Sequence, residues 1–127
     1  MKSPATFTPP HSIDAEKAVL GGILREPDQL NLVMDKAALE QDHFFLDSHG
    51  KIFNAIIELD AQNEPADLIT VAERLQGEAD NPISTSYLID LIDSCPISQN
   101  IDHYATIVRN HFYSRKIIGA CQDTIRR

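Results

Sequence analysis

The sequence has no tryptophan, only two cysteines and no long hydrophobic run. A transmembrane helix needs about 18 or more consecutive apolar residues, so the sequence predicts no such helix. Cys95 and Cys121 form neither a C-x-x-C pair nor a disulfide framework. The N-terminus also lacks the apolar segment of a secretory signal. We therefore expect two reduced thiols in a cytoplasmic protein.

Positive charge is also scarce. The 127 residues include 11 Lys and Arg against 19 Asp and Glu, a net charge of −8, which argues against strong, direct nucleic-acid binding by the domain. Residues 1–108 carry a net charge of −12, whereas residues 109–127 carry +4. An acidic body with a basic C-terminal helix is suited to pairing with a second copy, although a solvated helix face explains the same charges.

Apolar residues recur at three- and four-residue steps along most of the chain, and no stretch alternates as a half-buried strand does. Ser12 is a suitable N-cap for a first helix that ends before Pro27, with Asp14 and Glu16 in the first turn, where the helix dipole favours acids. Five further helices are predicted to begin near Asp28, at Asp47 or Ser48, at Thr70 in a capping box with Glu73, at Ser84 or Thr85, and at Ser98 or Asn100. The sequence predicts an all-α fold, a compact bundle of about six helices.

Two adjacent glycines, Gly21 and Gly22, stand in the apolar middle of the first helix. Each costs about 0.5–1 kcal/mol relative to alanine in a helix interior. Because glycine has no Cβ, the close approach of another helix can offset this cost. We therefore predict close helix packing at these two positions; the alternative is a helix that breaks there.

No motif for nucleotide or metal chemistry is present. The sequence lacks a G-x-x-x-x-G-K-[ST] phosphate loop, a G-x-G-x-x-G fingerprint and a G-x-S-x-G nucleophile elbow. Asp42, His43 and His49 leave a metal-dependent phosphohydrolase as one alternative, although no i, i+4 histidine pair is present. Caps, connectors and surface positions explain these residues better. The patterns alone predict an interaction domain without catalytic, cofactor-binding or metal-binding residues.

Seven stretches form a recognisable set in order along the chain. They are residues 9–16 with 18–24, 42–45, 49–53, 64–73, 87–88, 96–100 and 104–109. They include Pro-Pro-His-Ser-Ile-Asp-Ala-Glu and Glu-Pro-Ala-Asp-Leu-Ile-Thr-Val-Ala-Glu. Together they resemble the N-terminal domain of DnaB-type replicative DNA helicases. The chain departs from the family at residues 84–86, where Ser-Thr-Ser replaces a frequent Gly-Gly, and at residues 42–45, where Asp-His-Phe-Phe replaces Asp-Phe-Tyr.

The resemblance implies a helical head domain over residues 12–112 and the start of a truncated helical hairpin over residues 113–127, after a flexible arm over residues 1–11. In the family, neighbouring hairpins and heads pair, so that a hexamer carries an N-terminal collar arranged as a trimer of dimers. An ATPase motor with its ATP and Mg is expected in a separate domain that this chain lacks. The chain itself is then expected to be no enzyme and to need no cofactor. The candidates for the oligomer interface are Phe112, Arg115, Ile117, Cys121 and Ile125.

The family's N-terminal domain also binds the helicase-interacting domain of primase, and a helicase loader is a second partner that the resemblance suggests. Asp14, Tyr87 and Ile118 match positions tied to the primase contact. Core placement of Tyr87 and Ile118 is the alternative. The resemblance thus implies a non-catalytic collar domain that organises the helicase ring and recruits primase. A stand-alone helical adaptor that binds another protein through its C-terminal helix is the alternative function.

Overall fold

The computed structural model describes residues 8–78, 83–94 and 100–126. Within these ranges the chain forms six α-helices and a short 3-10 turn between two of them, with no strand, so the predicted all-α fold is confirmed. The helices are α1 (Ile13–Arg25), α2 (Gln29–Ala37), α3 (Asp47–Ala61), α4 (Leu68–Gln76), α5 (Thr85–Ser94) and α6 (Ile101–Arg126). The 3-10 turn, Gln41–His43, lies between α2 and α3.

Helix α1 is the central element of the bundle. It packs against α5 and α6 and also contacts α2 and α3, while α2 packs on α6 and α4 on α3. Its side chains Val19, Leu20 and Ile23 are fully buried, and each such side chain contributes roughly 1.5–3 kcal/mol when it leaves water. The three- and four-residue spacing seen in the sequence therefore marks the face that holds the other helices in place.

Helix α1 passes without a break through Gly21 and Gly22, and both glycines are buried. The alternative of a helix that breaks at the glycines is therefore wrong. The helix that carries them contacts both α5 and α6, which is the setting in which a missing Cβ favours a close approach. Close packing at these two positions themselves stays a prediction.

The helix caps agree with the sequence at α1 but not at α4. Ser12 accepts a hydrogen bond from the N–H of Ala15, 3.1 Å away, as predicted. The capping box at Thr70 and Glu73 is wrong, because Asp67 is the N-cap of α4. The Asp67 carboxylate accepts the Thr70 N–H and the Thr70 hydroxyl accepts the Asp67 N–H, each at 3.0 Å. Aspartate is at least as good an N-cap as threonine, so the helix begins one turn earlier.

Gly50, in α3, lies directly against the 3-10 turn. A Cβ at this position would be 3.0 Å from the backbone oxygen of Gln41. We expect Gly50→Ala to lower the free energy of unfolding by about 1–2 kcal/mol, because moving this backbone outweighs the gain in helix propensity. The matched control is Gly119→Ala in α6, where a Cβ would have nothing within 4 Å, and this variant is expected to be stabilised. Urea denaturation distinguishes them, and equal stabilisation of both would contradict the close approach at Gly50.

Candidate partner-binding surface and the buried network behind it

Glu16 is a buried acid in the first turn of α1, with only 1% of its surface exposed. Its carboxylate accepts hydrogen bonds from the N–H groups of Phe45 and Leu46, at 2.6 and 3.5 Å, and lies 2.8 Å from Nδ1 of His49. These donors compensate for the loss of water around the charge. Phe45 and Leu46 immediately precede α3, where backbone N–H groups have no partner within the helix. Their hydrogen bonds to Glu16 therefore tie α1 to the beginning of α3.

His49 extends this network from α3 to α5. Its side chain is fully buried, and its Nε2 lies 2.6 Å from the hydroxyl of Tyr87. Burial, together with the charges of Glu16 and Asp90, raises the pKa of Tyr87 above its ordinary value of 10.0, so the phenol keeps its proton at neutral pH. The Glu16 carboxylate can only accept, so Nδ1–H of His49 donates to it, while Nε2 shares the second hydrogen bond with the Tyr87 hydroxyl, which gives all three groups a partner.

The sequence analysis did not predict this network, because its hydrogen bonds join residues that are far apart in the sequence. Glu16 and His49 are separated by 33 positions, and His49 and Tyr87 by 38 positions. The sequence nevertheless indicates that Glu16 is buried, because it lies on the apolar face of α1, one turn before Leu20 and two turns before Ile23. His49 stands in the same way one turn before Phe53 in α3. A single polar residue on the buried face of each of two helices indicates that the two side chains pair, because an unpaired buried charge is costly.

The residues that the resemblance tied to primase lie in three different environments. Asp14 is exposed at the start of α1, where it lines a cleft of about 370 Å³ together with Lys17 and Tyr104. Tyr87 is half-buried, with its hydroxyl on His49, and Ile118 is half-buried on α6. Their role in partner binding stays a prediction.

Arg115, a candidate for the oligomer interface, has contacts inside the chain that the sequence did not predict. Its guanidinium donates to the backbone carbonyls of Pro10 and His43, at 2.9 and 3.0 Å. It also lies over the rings of Phe45 and Phe112, with distances of 5.4 and 5.8 Å to their centroids. Arg115 and Phe112 thus fasten α6 to the connector between α2 and α3.

The same cluster includes part of the segment predicted as a flexible arm. The ring of His11 stacks on that of Phe45 with 4.0 Å between the centroids, and Pro10 accepts a hydrogen bond from Arg115. Pro10 and His11 therefore belong with the head, contrary to the boundary predicted after residue 11. Residues 1–7 of the predicted arm lie outside the described residues.

The far half of α6, residues 114–126, carries apolar groups that the head does not cover. Ile117 is 65% exposed and Cys121 is an exposed free thiol. The side chain of Ile125 and all of Cys95 lie outside the described residues. The helix has 26 residues and is therefore about 39 Å long, but none of the described helices is long and apolar enough to cross a membrane. The interface role of this half stays a prediction.

The histidines considered as metal ligands are engaged in protein contacts. Both ring nitrogens of His49 have partners, and Nδ1 of His43 accepts the Glu40 N–H at 3.1 Å. In the part of the chain that the structure describes, no group of three or more His, Cys, Asp or Glu residues is placed to hold a metal ion. Nothing in these contacts favours the phosphohydrolase alternative.

The burial of His43 leads to a prediction about pH. Its ring contacts Phe112 and Tyr113, and burial, opposed by the charge of Glu40, lowers its pKa below 6.5. As the pH falls, the unfolded chain therefore binds a proton at this residue at a higher pH than the folded chain does. The contribution of His43 to the free energy of unfolding is thus complete above pH 6.5 and declines below it. We expect His43→Gln to flatten the fall in unfolding free energy below that pH, as measured by urea denaturation across a pH series. An unchanged slope in the variant would contradict this role.

Comparison with known proteins assigns the family. A model described as DnaB-like helicase N terminal domain matches residues 8–110. The chain belongs to this DnaB-like family. It is 39% identical over 112 residues to the replicative DNA helicase DnaC of Bacillus subtilis (strain 168) and 36% identical over 112 residues to the replicative DNA helicase DnaB of Geobacillus stearothermophilus. Both matches cover 87% of this chain but 24% of the relative, so the chain spans about a quarter of the length of these curated relatives.

Solved DnaB structures have the same fold as this DnaB-like domain. The crystal structure of the N-terminal domain of DnaB helicase from Mycobacterium tuberculosis is 31% identical, with a TM-score of 0.85, and the match covers 94% of this chain and 85% of that one. A DnaB-like replicative helicase, whose structure was described together with its interactions with primase, is 27% identical with a TM-score of 0.77. That match covers 91% of this chain and 27% of the helicase. The predicted resemblance and the helical head are thus confirmed.

Proposed function

We propose that this chain is the non-catalytic N-terminal collar domain of a replicative DNA helicase, where it organises the subunits of the ring and recruits primase. The family match over residues 8–110 is the observation that carries the proposal. ATP hydrolysis with Mg and strand separation then belong to a separate motor domain. Saturable ATP hydrolysis by the purified chain would contradict this division of roles.

The exposed far half of α6 supports the role in subunit organisation. A helix that presents Ile117 at 65% exposure gains stability when another helix covers that surface. Lys116, beside Ile117, and Arg109, two turns earlier on α6, are also exposed and basic, whereas residues 1–108 carry a net charge of −12. Opposite charges on the two parts of the chain favour association between copies.

The surface around Asp14 supports the role in primase recruitment. A similar helicase was described with its interactions with primase, and the cleft beside Asp14 combines an acid, the base Lys17 and the half-buried ring of Tyr104. Charged rims with an aromatic centre are typical of protein interfaces. A helicase loader is a second partner that we propose for the same domain, without a surface assigned to it.

Reversing the charge at Asp14 tests this partner contact. We expect Asp14→Lys to weaken binding of the helicase-interacting domain of the primase encoded in the same genome by about tenfold or more, because it reverses the charge that the proposed contact presents to the partner. Isothermal titration calorimetry measures the affinity. Asp35→Lys, which reverses an exposed acid on α2, is the matched control and is expected to bind as the unmodified chain does.

Circular dichroism of both variants checks that they remain folded. If Asp14→Lys is folded and its affinity is unchanged, the assignment of Asp14 is wrong. If the unmodified chain does not bind this primase domain at all, recruitment of primase is wrong, and the stand-alone adaptor becomes the better account.

A further inference from the structure

Residues 40–43, which include the 3-10 turn, form a clasp on α6. The buried ring of His43 lies against the rings of Phe112 and Tyr113, with 4.5 and 5.9 Å between the centroids. The backbone carbonyl of His43 accepts a hydrogen bond from Arg115 at 3.0 Å. The ring and the carbonyl of a single residue therefore both hold the clasp against the helix.

The hydrogen bond within the clasp depends on the protonation of His43. Nδ1 of His43 accepts the backbone N–H of Glu40 at 3.1 Å, so the neutral ring carries its proton on Nε2. A second proton therefore has to bind at Nδ1. Because a backbone N–H can only donate, the protonated Nδ1 and the Glu40 N–H would face each other as two donors. Protonation of His43 thus breaks the bond that closes the clasp.

The charges around His43 favour movement away from α6 once the ring is protonated. Burial has the largest effect on the pKa of His43 and lowers it, the charges of Glu40 and Asp42 raise it, and those of Arg109 and Arg115 lower it. The two arginines belong to α6, whereas the exposed carboxylate of Glu40 lies 3.7 Å from Nε2. Other titratable groups on the elements around the clasp are Tyr113 and Lys116 of α6, Asp47 and Lys51 of α3, Glu16 of α1, and His11.

The clasp lies between two anchored positions. Leu39 before it and Phe44 after it are both buried in the core. The near half of α6 is attached to the core separately, through the buried side chains of Ala105 and Val108. Residues 40–43 can therefore open while both ends of the segment and the helix beneath it stay in place, which is the pattern of a local opening.

We propose that residues 40–43 are a proton-released clasp, which is closed on α6 while His43 is neutral and opens, with the rest of the head folded, when Nδ1 takes up a second proton. Opening uncovers the ring of Phe112 and leaves Arg115 with its hydrogen bond to the Pro10 carbonyl. The junction between the head and the far half of α6 thus loosens as the pH falls. This inference goes beyond the proposed function and does not depend on it.

Hydrogen exchange of the unmodified chain tests the clasp. Exchange is followed by mass spectrometry in peptides that cover residues 40–43 and α3, and each rate is corrected for the intrinsic effect of pH. From about pH 7.5 to about pH 5.5, we expect the protection of residues 40–43 to fall by about three- to tenfold, since about tenfold is the most that one histidine with an ordinary pKa in the open form allows over this range. Unchanged protection would overturn the inference.

Low concentrations of urea separate local opening from unfolding of the whole domain. The effect of urea scales with the surface that an opening exposes. Exchange in residues 40–43 is therefore expected to be nearly independent of urea, whereas exchange in α3 should rise with it. If exchange in the two regions depends equally on urea, residues 40–43 open only when the domain unfolds, and the proposed clasp is wrong.

His43→Gln removes the titrating group and keeps an acceptor. A glutamine three residues after the N-cap can still accept the Glu40 N–H, as in an ordinary capping box. We expect the protection of residues 40–43 in this variant to differ by less than about twofold between the two pH values. His103→Gln, which removes an exposed histidine from α6, is the matched control and should keep the full pH dependence.

The same fall in protection in His43→Gln and in the unmodified chain would assign the pH dependence to another group and would overturn the inference. Loss of the pH dependence in His103→Gln would do the same. Should His43→Gln fail to fold, the pH and urea dependence of the unmodified chain, compared with that of His103→Gln, decides the question.

Discussion

Replacement of Glu16 by alanine is expected to lower the free energy of unfolding by about 3–5 kcal/mol. The substitution leaves the N–H groups of Phe45 and Leu46 and the Nδ1–H of the fully buried His49 without their acceptor. Unsatisfied buried donors and the space left by the side chain both disfavour the folded state. Urea denaturation followed by circular dichroism measures the loss.

Asp14→Ala is the matched control for this prediction, because it removes an exposed acid from the same first turn of α1. Its loss is expected to be at most about 1 kcal/mol, the size of an interaction with the helix dipole. Glu16→Gln, which keeps the shape and one acceptor, is expected to fall between the two. A cost of Glu16→Ala no greater than that of Asp14→Ala would refute the network as a major source of stability.

The second large effect is expected at Arg115. Arg115→Ala should lower the free energy of unfolding by about 2–3 kcal/mol, because it removes two hydrogen bonds from a charged group and contacts with two aromatic rings. Arg115→Lys is expected to recover less than half of this loss, since an ammonium group cannot bond both carbonyls with the geometry of a planar guanidinium. Thermal and urea denaturation of the two variants provide the measurement.

Arg109→Ala provides the comparison for Arg115. Arg109 is exposed and lies over the ring of Tyr113 at 5.6 Å, an arrangement that contributes about 0.5–1 kcal/mol at a surface. If Arg115→Ala costs no more than Arg109→Ala, the contacts of Arg115 with Pro10 and His43 do not fasten α6 to the head.

The helices could be predicted from the sequence because their signals are local. Ser12 and the Pro27 region bound α1 in the structure as the sequence predicts, and the apolar spacing identifies the buried face. The start of α4 is harder to predict, because Asp67 and Thr70 both suit an N-cap and lie only three positions apart. Competing local signals of similar strength are resolved by packing, which the sequence does not display directly.

The candidate site could be predicted only in part. Motif order supplied Asp14, Tyr87 and Ile118, but the hydrogen-bond partner of Tyr87 is His49, on a helix 38 positions earlier in the sequence. Arg115 likewise reaches Pro10, 105 positions away. Long-range pairing depends on how the helices cross, and helical periodicity identifies faces without identifying which faces meet.

The reading frame beyond the codon for Arg127 tests the central claim most directly. Sequencing of the native gene is expected to show an open frame that continues through a second hairpin helix into a strand, a Gly-x-x-x-x-Gly-Lys-Ser/Thr phosphate loop and a helix. That result would place this domain in front of an ATP-driven motor, as the account requires. A stop codon shortly after Arg127 would contradict the account and leave a helical adaptor whose partner must be sought through α6.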